Sequence, residues 1–449
     1  MKTRIPFKLL AALTALCLLL SLGAFSAMAD EEPAEDIAPV SAPIATDEGE
    51  EAALQALNLD LTRALASGLH FDGVDSEFKI LVFSDLNDGA IPYTAMLKYI
   101  EAVLADPAVA PDLIVLNGDN TRKGASTFGV TSFAIPWICD LFGDIPFTLT
   151  FGENDALLPV SKNNYLGRYQ RYANCLAYDN EREGAAGVGN HNLLIFNDET
   201  AAEAGTIDGA AFDLWLMDTN VNGFNQNQSA WYAIREEDGV TFEAGYRIPS
   251  MLFTHFPLHE MYTQSAAAGL TDPTAKLPVE HRMFTMMKTY GNVLAAVSGH
   301  HRAKSFVANW EYDSTLGAER SIDFIQCPGM TYLTCSGTER ATRGATLITL
   351  KLNALGEEAV IDIIDEVETV VAEAIPPEVE ITEVRPLPAF PYFDDGGELH
   401  NFYKAGVNWL FGPLSSLIGL IASPFTDKYQ VAFNVTQFFG NVFGWMLGK

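Results

Sequence analysis

Short apolar runs recur through the middle of the chain, and polar residues follow several of them. Runs of about five residues rich in Val, Ile, Leu and Phe, bounded by Gly, Asn and Asp, are typical of buried strands. We predict strands over 79–83, 112–116, 147–151, 212–217, 250–254 and 293–297. Apolar residues at helical spacing over 93–104 predict a helix between the first two strands. This alternation predicts a layered α/β domain over 77–353.

The first 29 residues have the pattern of a secretory signal peptide. Lys2, Arg4 and Lys8 precede an uncharged apolar run over 9–25, and small residues at positions 27 and 29 form a cleavage pattern. Cleavage would make the protein extracellular or place it at the cell surface. Retention of the segment as an N-terminal membrane anchor is the alternative.

Two linkers and a tail complete the predicted domain organisation. Residues 30–51 are acidic and predict a solvated linker, while apolar spacing over 52–69 predicts a helical lead-in that extends to residue 76. The acidic, Pro-rich residues 354–400 predict a second linker. Uncharged stretches with helical spacing predict an apolar helical tail over 401–449. The tail either packs on the domain or on another subunit, or contacts a membrane; both interpretations stay open.

The charge of the chain restricts its partners. It carries 58 acidic and 27 basic residues, a formal net charge of −31. Such a surface repels phosphate backbones, so we expect no nucleic-acid partner. Small anionic substrates are repelled too, unless bound metal cations reverse the field locally.

The cysteines leave two possibilities open. Beyond the signal the chain has Cys139, Cys175, Cys327 and Cys335. Export permits disulfides, and Cys327 and Cys335 are close enough in sequence to pair across a loop. Four separate thiols are equally compatible with the spacing.

Acidic and imidazole side chains stand where the predicted strands end. The carboxylates Asp85, Asp119 and Glu153 follow three of the strands, and His255 and His300 follow two others. In open α/β sheets ligands bind at the carboxyl ends of strands, where loops converge. Carboxylate oxygen and imidazole nitrogen together suit Mn, Fe or Zn. The sequence therefore predicts a site for one or two divalent metal ions.

The order of these residues and the strings around them resemble the calcineurin-like metallophosphoesterases, especially the purple-acid-phosphatase-like branch. The matching strings are Ser84-Asp85-Leu86-Asn87, Gly118-Asp119, Gly152-Glu153-Asn154-Asp155, His255-Phe256-Pro257 and Gly299-His300-His301-Arg302. Secondary matches are Gly187-Val188-Gly189-Asn190, Asp218 and Gln228-Ser229-Ala230-Trp231. The resemblance implies a β-sandwich flanked by helices and hydrolysis of a phosphate ester by a metal-activated water.

Two metal ions in that family share the Gly-Asp carboxylate, here Asp119. For one ion the resemblance implies the set Asp119, Glu153, His255 and His300, in which Glu153 stands for an Asn. For the other ion it implies Asp119 with Asp85, Asn87 and Arg302, the last two standing for histidines. An Asn oxygen can bind a metal, but an Arg cannot.

Catalytic residues implied by the resemblance also depart from the family. Asn154 stands where the family has a His near the leaving group, so a titratable proton donor is missing. Arg302 would steady the phosphate, or replace the second metal as a fixed positive charge. His301 is the alternative occupant of that position after a small loop shift.

Two functions are compatible with this altered set. We expect an exported metal-dependent phosphoesterase with an altered, possibly single-metal site. The alternative is an inactive member of the fold that acts as a cell-surface binding or scaffold module.

Overall fold

Two β-sheets pack face to face, and helices cover their outer faces. The computed structural model describes residues 59–86, 94–121, 134–155, 162–180, 187–219, 223–238, 247–261, 263, 283–302, 304–313, 319–331, 343–354, 357–364, 367–374 and 378–388. All of these lie in one compact unit of the chain, Ala52–Lys449. The predicted signal peptide, the 30–51 linker and the 401–449 tail lie outside the described residues.

Seven strands form the larger sheet. They are β1 (Leu69–His70), β5 (His191–Phe196), β6 (Ala210–Met217), β7 (Ser250–Thr254), β8 (Val293–Ser298), β9 (Phe306–Asp313) and β10 (Glu319–Gln326). Their order across the sheet is β1-β5-β6-β7-β8-β10-β9. Because β6, β7 and β8 run parallel, their carboxyl ends lie at the same edge.

Five strands form the smaller sheet. They are β2 (Glu77–Phe83), β3 (Leu113–Asn117), β4 (Phe147–Thr150), β11 (Gly344–Leu352) and β14 (Val379–Pro388). Their order is β14-β11-β2-β3-β4, with β2, β3 and β4 parallel. The strands β12 (Glu357–Ile364) and β13 (Val367–Ala374) pair only with each other among the described strands.

The helices connect strands of the two sheets. Six of those described are α1 (Thr94–Leu104), α2 (Ala134–Cys139), α3 (Lys162–Tyr169), α4 (Glu199–Ala204), α5 (Gln226–Asp238) and α6 (Met283–Tyr290). Single 3₁₀ turns span Asp140–Phe142 and Ile207–Gly209. Helix α4 begins at a capped residue, because the Asp198 side chain accepts the Ala201 N–H, and it ends at Gly205 in a left-handed conformation.

Alternate side chains of the central strands enter different cores. Ile80 and Val82 of β2 face the space between the sheets, whereas Leu81 and Phe83 pack under α1 and α2. On the far side, Trp215 of β6 packs against Trp231 and Tyr232 of α5, with ring centroids 5.5 and 4.7 Å apart. Strands buried on both faces need continuous apolar runs, which explains the runs seen in the sequence.

The predicted mixed α/β fold is confirmed. All six predicted strands are present, and their ends differ from the predictions by no more than two residues. The predicted helix over 93–104 is α1. The sandwich flanked by helices that the resemblance implied is also present.

The helical lead-in is shorter than the spacing over 52–69 predicted. Among the described residues the helix covers 59–65, and Leu69–His70 forms β1 beside β5. Gly68 has a φ of 71°, a left-handed conformation that favours glycine and ends helices. The apolar Leu69 therefore belongs to a strand and not to the helical pattern.

The predicted linker over 354–400 is wrong for much of its length. Residues Val379–Pro388 pair with β11 along its whole length, and β12 pairs with β13. An edge strand has one unpaired side, so β14 can hold the acidic residues Glu380 and Glu383 and the prolines Pro386 and Pro388. The composition that suggested a linker is thus that of an edge strand.

Two further observations bear on the sequence predictions. None of the described helices is long and apolar enough to cross a membrane. Cys139, Cys175 and Cys327 are free thiols, and Cys327 is fully buried among the residues between the sheets. Cys335, the other member of the possible loop disulfide, lies outside the described residues.

The buried phenol of Tyr99 joins α1 to the edge of the smaller sheet. Its hydroxyl donates to Leu387 O and accepts the Ala345 N–H at 3.1 Å. We expect Tyr99→Phe to lower the free energy of unfolding by about 1–3 kcal/mol, because two buried backbone groups lose a partner. Urea unfolding at neutral pH measures this. Tyr312→Phe on the edge strand β9 is the matched control, with an expected change within about 0.5 kcal/mol. Equal losses in both variants would contradict this role of Tyr99.

Candidate metal centre

The carboxyl ends of strands from both sheets meet at one edge of the sandwich. Asp85, Asp119, Glu153, His255 and His300 each follow a strand within three residues. The two sheets are joined there by hydrogen bonds of Asn117, whose Nδ2 donates to Thr254 O at 3.3 Å. The structure thus brings together five of the six predicted metal ligands. Asn87, the sixth, lies outside the described residues.

Three of these residues have a strained backbone. Asp85 and Asp119 have φ values of 51°, and His300 has a φ of 67°. Left-handed backbone at a residue other than glycine costs about 1–3 kcal/mol and clusters at functional sites. At Gly118, with a φ of 79°, a Cβ atom would lie 2.6 Å from the Cβ of His255. Only glycine therefore lets the β3 loop approach this histidine so closely.

One cluster of donors consists of Glu153, His255 and His300. Nε2 of His255 lies 3.2 Å from Oε2 of Glu153, and Nδ1 of His300 lies 3.4 Å from Oε1. One ligand atom from each residue lies within 4.8 Å of the others. Among the described residues, Glu153 Oε2, His255 Nε2 and His300 Nδ1 are all buried without a hydrogen bond of normal geometry. These three atoms converge on one small volume that a cation would fill.

The orientation of His255 leaves one nitrogen facing this volume. Its Nδ1 lies 3.1 Å from Asn117 O, a carbonyl that can only accept, so Nδ1 carries the proton. The lone pair of Nε2 then faces the possible metal-ligand atoms of Glu153 and His300, as it does in an imidazole that binds a metal. Burial disfavours a protonated imidazole, but Asp119 and Asp85 outweigh burial and raise the pKa of His255 well above its usual value. The acidic neighbours thus favour positive charge at His255.

The structural histidine His191 provides a contrast. Its Nδ1 lies 2.8 Å from Gly189 O, and its Nε2 lies 2.7 Å from the Thr148 hydroxyl. Both ring nitrogens are satisfied, and burial lowers the pKa of His191 to about 4. Both ring nitrogens of the structural histidine His191 thus have hydrogen-bond partners, whereas Nε2 of His255 has no partner of normal geometry among the described residues.

The second cluster contains Asp85, Asp119 and His255, and Arg302 bridges its carboxylates. The ligand atoms of the three lie within 4.8 Å of one another. Arg302 Nε lies 3.2 Å from Asp85 Oδ1, and its Nη2 lies 3.2 Å from Asp119 Oδ2. Despite burial, His255 and the neighbouring hydrogen bonds lower the pKa of Asp119. The structure therefore places the guanidinium between the two carboxylates.

The other two predicted catalytic residues do not lie between the carboxylates. The ring of His301 lies beside that of His300, with centroids 5.0 Å apart, and burial together with His300 lowers its pKa to about 4. Asn154 donates its backbone N–H to Asp119 Oδ1 at 2.8 Å and its side-chain amide to Asp119 Oδ2. Asn154 therefore positions Asp119, and Arg302 contacts both Asp85 and Asp119.

Asp155, a residue without a predicted role, supports the site from behind. Its carboxylate accepts the N–H groups of Gly152 and Thr121 at 2.9 and 2.8 Å, and of Asn120 at 3.2 Å. It thereby ties the loop after β3 to the loop after β4. Burial and the nearby Asp119 raise the pKa of Asp155 to about 6. In the sequence, the only indication of this role is that Asp155 belongs to the string Gly152-Glu153-Asn154-Asp155, which follows a buried strand.

A second supporting network explains the secondary sequence matches. Asn190 Oδ1 accepts the backbone N–H of Asp218 at 3.0 Å and the amide of Gln228 at 2.9 Å. Asp218 also accepts from Val188 N and forms a buried ion pair with Lys162, with Nζ 2.7 and 2.8 Å from its two oxygens. Lys162 was missed, because a single lysine at the start of a helix carries no sequence signal of burial.

Comparison with known proteins agrees with this geometry. The family model for calcineurin-like phosphoesterases matches residues 78–301. That range contains every described residue of the two donor clusters. The chain belongs, through residues 78–301, to the calcineurin-like phosphoesterase family. The finer assignment to the purple-acid-phosphatase-like branch stays a prediction.

Solved structures with a similar fold share little sequence with this family member. A dimetal phosphatase from Danio rerio is 11% identical, with a TM-score of 0.39, and the match covers 70% of this chain and 99% of that one. GAP50, the anchor in the inner membrane complex of Plasmodium, is 12% identical with a TM-score of 0.35, covering 73% and 94%. PhoD is 11% identical with a TM-score of 0.36, covering 77% and 78%. No curated protein matches the chain.

Calcineurin-like phosphoesterases use divalent metals, and the first donor cluster fits such an ion. Glu153 Oε2, His255 Nε2 and His300 Nδ1 are buried atoms without a normal hydrogen bond among the described residues, and Asp119 lies 3.4 Å from His255. Carboxylate oxygen and imidazole nitrogen suit Mn, Fe or Zn, and the identity of the metal stays open. The second cluster fits less well, because Arg302 already contacts both of its carboxylates.

Metal binding at the first cluster must compete with the proton of His255. Burial lowers the pKa of this imidazole, but Asp119 and Asp85 raise it well above its usual value, so a metal ion that binds Nε2 competes with a proton there. We expect the apparent metal affinity to rise by about tenfold per pH unit while the pH stays below the raised pKa of His255. Titration calorimetry in buffers of different ionisation enthalpy measures both the affinity and the proton release.

A matched control separates this effect from general titration of the protein. His70 lies on β1, near Asp112 at the opposite end of β3, and His70→Gln should leave the slope unchanged. His255→Gln should remove both tight binding and proton release. An affinity that does not vary with pH in the unsubstituted protein would show that His255 is not the ligand that loses a proton.

Proposed function

We propose that this protein is an exported metal-dependent phosphoesterase with an altered metal site. In this proposal Asp119, Glu153, His255 and His300 hold a divalent ion. The observation that carries the proposal is the convergence of three buried polar atoms, on Glu153, His255 and His300, that lack a normal hydrogen bond within the described part of the chain. Such atoms are costly to bury unless a ligand satisfies them.

A divalent ion bound there would polarise a phosphoryl oxygen and lower the pKa of a coordinated water. The residues of the chain supply the rest of the site. His255 is held by Asn117 O, and Asp119 is oriented by two N–H groups of Asn154. Arg302, whose side chain is 25% exposed, adds a fixed positive charge at the rim. Because the whole chain carries a net charge of −31, local cations are needed before a phosphate ester can approach.

Export is part of the proposal because of the N-terminal segment. Its basic start, apolar run and small residues at positions 27 and 29 are typical of a signal peptide. An extracellular or cell-surface protein with this charge would act on small phosphate esters, either mono- or diesters, and not on nucleic acids.

A second function, binding without catalysis, is favoured by one observation. Asn154 replaces a titratable histidine and uses its side-chain amide on Asp119, so no proton donor for the leaving group is supplied at that position. In this alternative the fold serves as a binding or scaffold module at the cell surface.

Metal analysis combined with ester hydrolysis distinguishes these functions. We expect the purified protein to bind Mn, Fe or Zn and to hydrolyse a generic phosphomonoester or phosphodiester. His255→Ala should reduce turnover by more than about 100-fold, since loss of even an outer partner of a metal ligand costs about 10–100-fold. His70→Ala, at the opposite end of β3, is the control and should keep full activity.

Each remaining result identifies a different failure. Bound metal without turnover of either ester would support the binding module. No bound metal at any tested concentration would rule out the proposed ligand set itself. Equal losses in His255→Ala and His70→Ala would point to a folding defect and contradict a role of His255 in the site.

A further inference from the structure

Arg302 occupies a place among the acidic residues where the family resemblance would put a second cation. Its Nε and Nη2 atoms each lie 3.2 Å from a carboxylate oxygen, one of Asp85 and one of Asp119. Both carboxylates are fully buried. A guanidinium bridging two buried carboxylates performs electrostatically what a shared metal ion would perform.

The two donor clusters differ in how their polar atoms are satisfied. In the first cluster, Glu153 Oε2, His255 Nε2 and His300 Nδ1 make no normal hydrogen bond with any described residue. In the second cluster both oxygens of Asp85 already have donors. Oδ2 accepts from the Ser84 hydroxyl at 2.8 Å and from His300 N at 2.9 Å, and Oδ1 accepts from Arg302. The first cluster needs a cation, whereas the second is complete.

The position of Arg302 is fixed by the chain around it. Its carbonyl oxygen accepts the Gly329 N–H at 2.9 Å, and a Cβ atom at Gly329 would lie 2.8 Å from the Arg302 Cβ. The buried Gln326 side chain donates to Gly299 O at 2.6 Å, which holds the start of the same loop. The guanidinium is therefore held by packing on its own backbone as well as by its ion pairs.

The charges of the site agree with a single ion. Asp85, Asp119 and Glu153 supply three negative charges, which one divalent cation and one guanidinium neutralise. A second divalent ion between Asp85 and Asp119 would lie next to Arg302, where like charges repel strongly in a buried environment. It would also have to displace the hydrogen bonds that Arg302 makes.

We propose that Arg302 is a built-in replacement for the second metal ion, so that the protein binds one divalent ion per chain. This inference rests on the proposed function for the first ion, held by Asp119, Glu153, His255 and His300. Arg302 then neutralises Asp85 and Asp119 in place of the second ion, and it does so at any metal concentration.

Replacing Arg302 by histidine tests this directly. The wild-type full chain, stripped with chelator and dialysed against excess Mn²⁺, should hold one ion per chain by elemental analysis. Arg302→His removes the fixed charge and adds a ligand, so its content should rise to two. Its electron paramagnetic resonance spectrum should change from that of an isolated Mn²⁺ to that of an exchange-coupled pair. Arg320→His, at an exposed position of β10, is the matched control and should stay at one ion.

The outcomes separate this inference from the function it rests on. Two ions in the wild-type protein, or one ion in a folded Arg302→His variant, would overturn the role of Arg302 while leaving the first ion in place. No ion in the wild type would overturn the proposed function as well. If Arg302→His fails to fold, the count and spectrum of the wild-type protein still decide, because a coupled pair there contradicts the inference.

Discussion

The mutual repulsion of three carboxylates in one small volume is the constraint on which the site depends. Two like charges 4 Å apart repel by about 4 kcal/mol at the effective dielectric of a protein. Together with burial, Asp119 raises the pKa values of Asp85 and Asp155, and Glu153 acts in the same direction on Asp119, yet the pKa values of Asp119 and Glu153 are lowered overall. The imidazole of His255, reinforced by His300 at Glu153, explains this net effect. Positive charge is therefore built into the arrangement before any metal is bound.

The fold holds these charges together through its topology. Parallel strands end at the same edge, and the carboxyl ends of β2, β3 and β4 meet those of β7 and β8. Two sheets can approach this closely only where side chains are absent, and Gly118 provides that space against His255. The left-handed backbone at Asp85, Asp119 and His300 is stabilised by surrounding bonds such as the one from Asp85 N to Gly118 O at 3.0 Å. Such bonds offset part of the strain at the site.

The sequence predicted the strand ends well, because runs buried on both faces leave an unambiguous apolar signal. The same reasoning placed Asp119, Glu153, His255 and His300 at neighbouring strand ends. In the structure Glu153, His255 and His300 form one cluster, and Asp119 lies 3.4 Å from His255 in the other. Composition misled at the edge strand β14, since an edge tolerates the acids and prolines that also mark linkers.

The direction of individual side chains could not be obtained from the sequence. His301 and Arg302 are adjacent, and only the turn after β8 decides which of them faces Asp85. The buried pair of Lys162 and Asp218 joins residues 56 positions apart, and no local pattern relates them. Interactions of this kind depend on tertiary placement.

The hydrogen bonds of Asp119 show why the altered residues act together. An ionised carboxylate has about four lone-pair sites. Asn154 uses one on each oxygen, and Arg302 uses one on Oδ2, which leaves about one for a metal. A carboxylate that bridges two ions needs two. If Asp119 binds the proposed ion, Asn154 and Arg302 together leave it a lone pair for one ion only, whereas either residue alone would leave the two that a bridge needs.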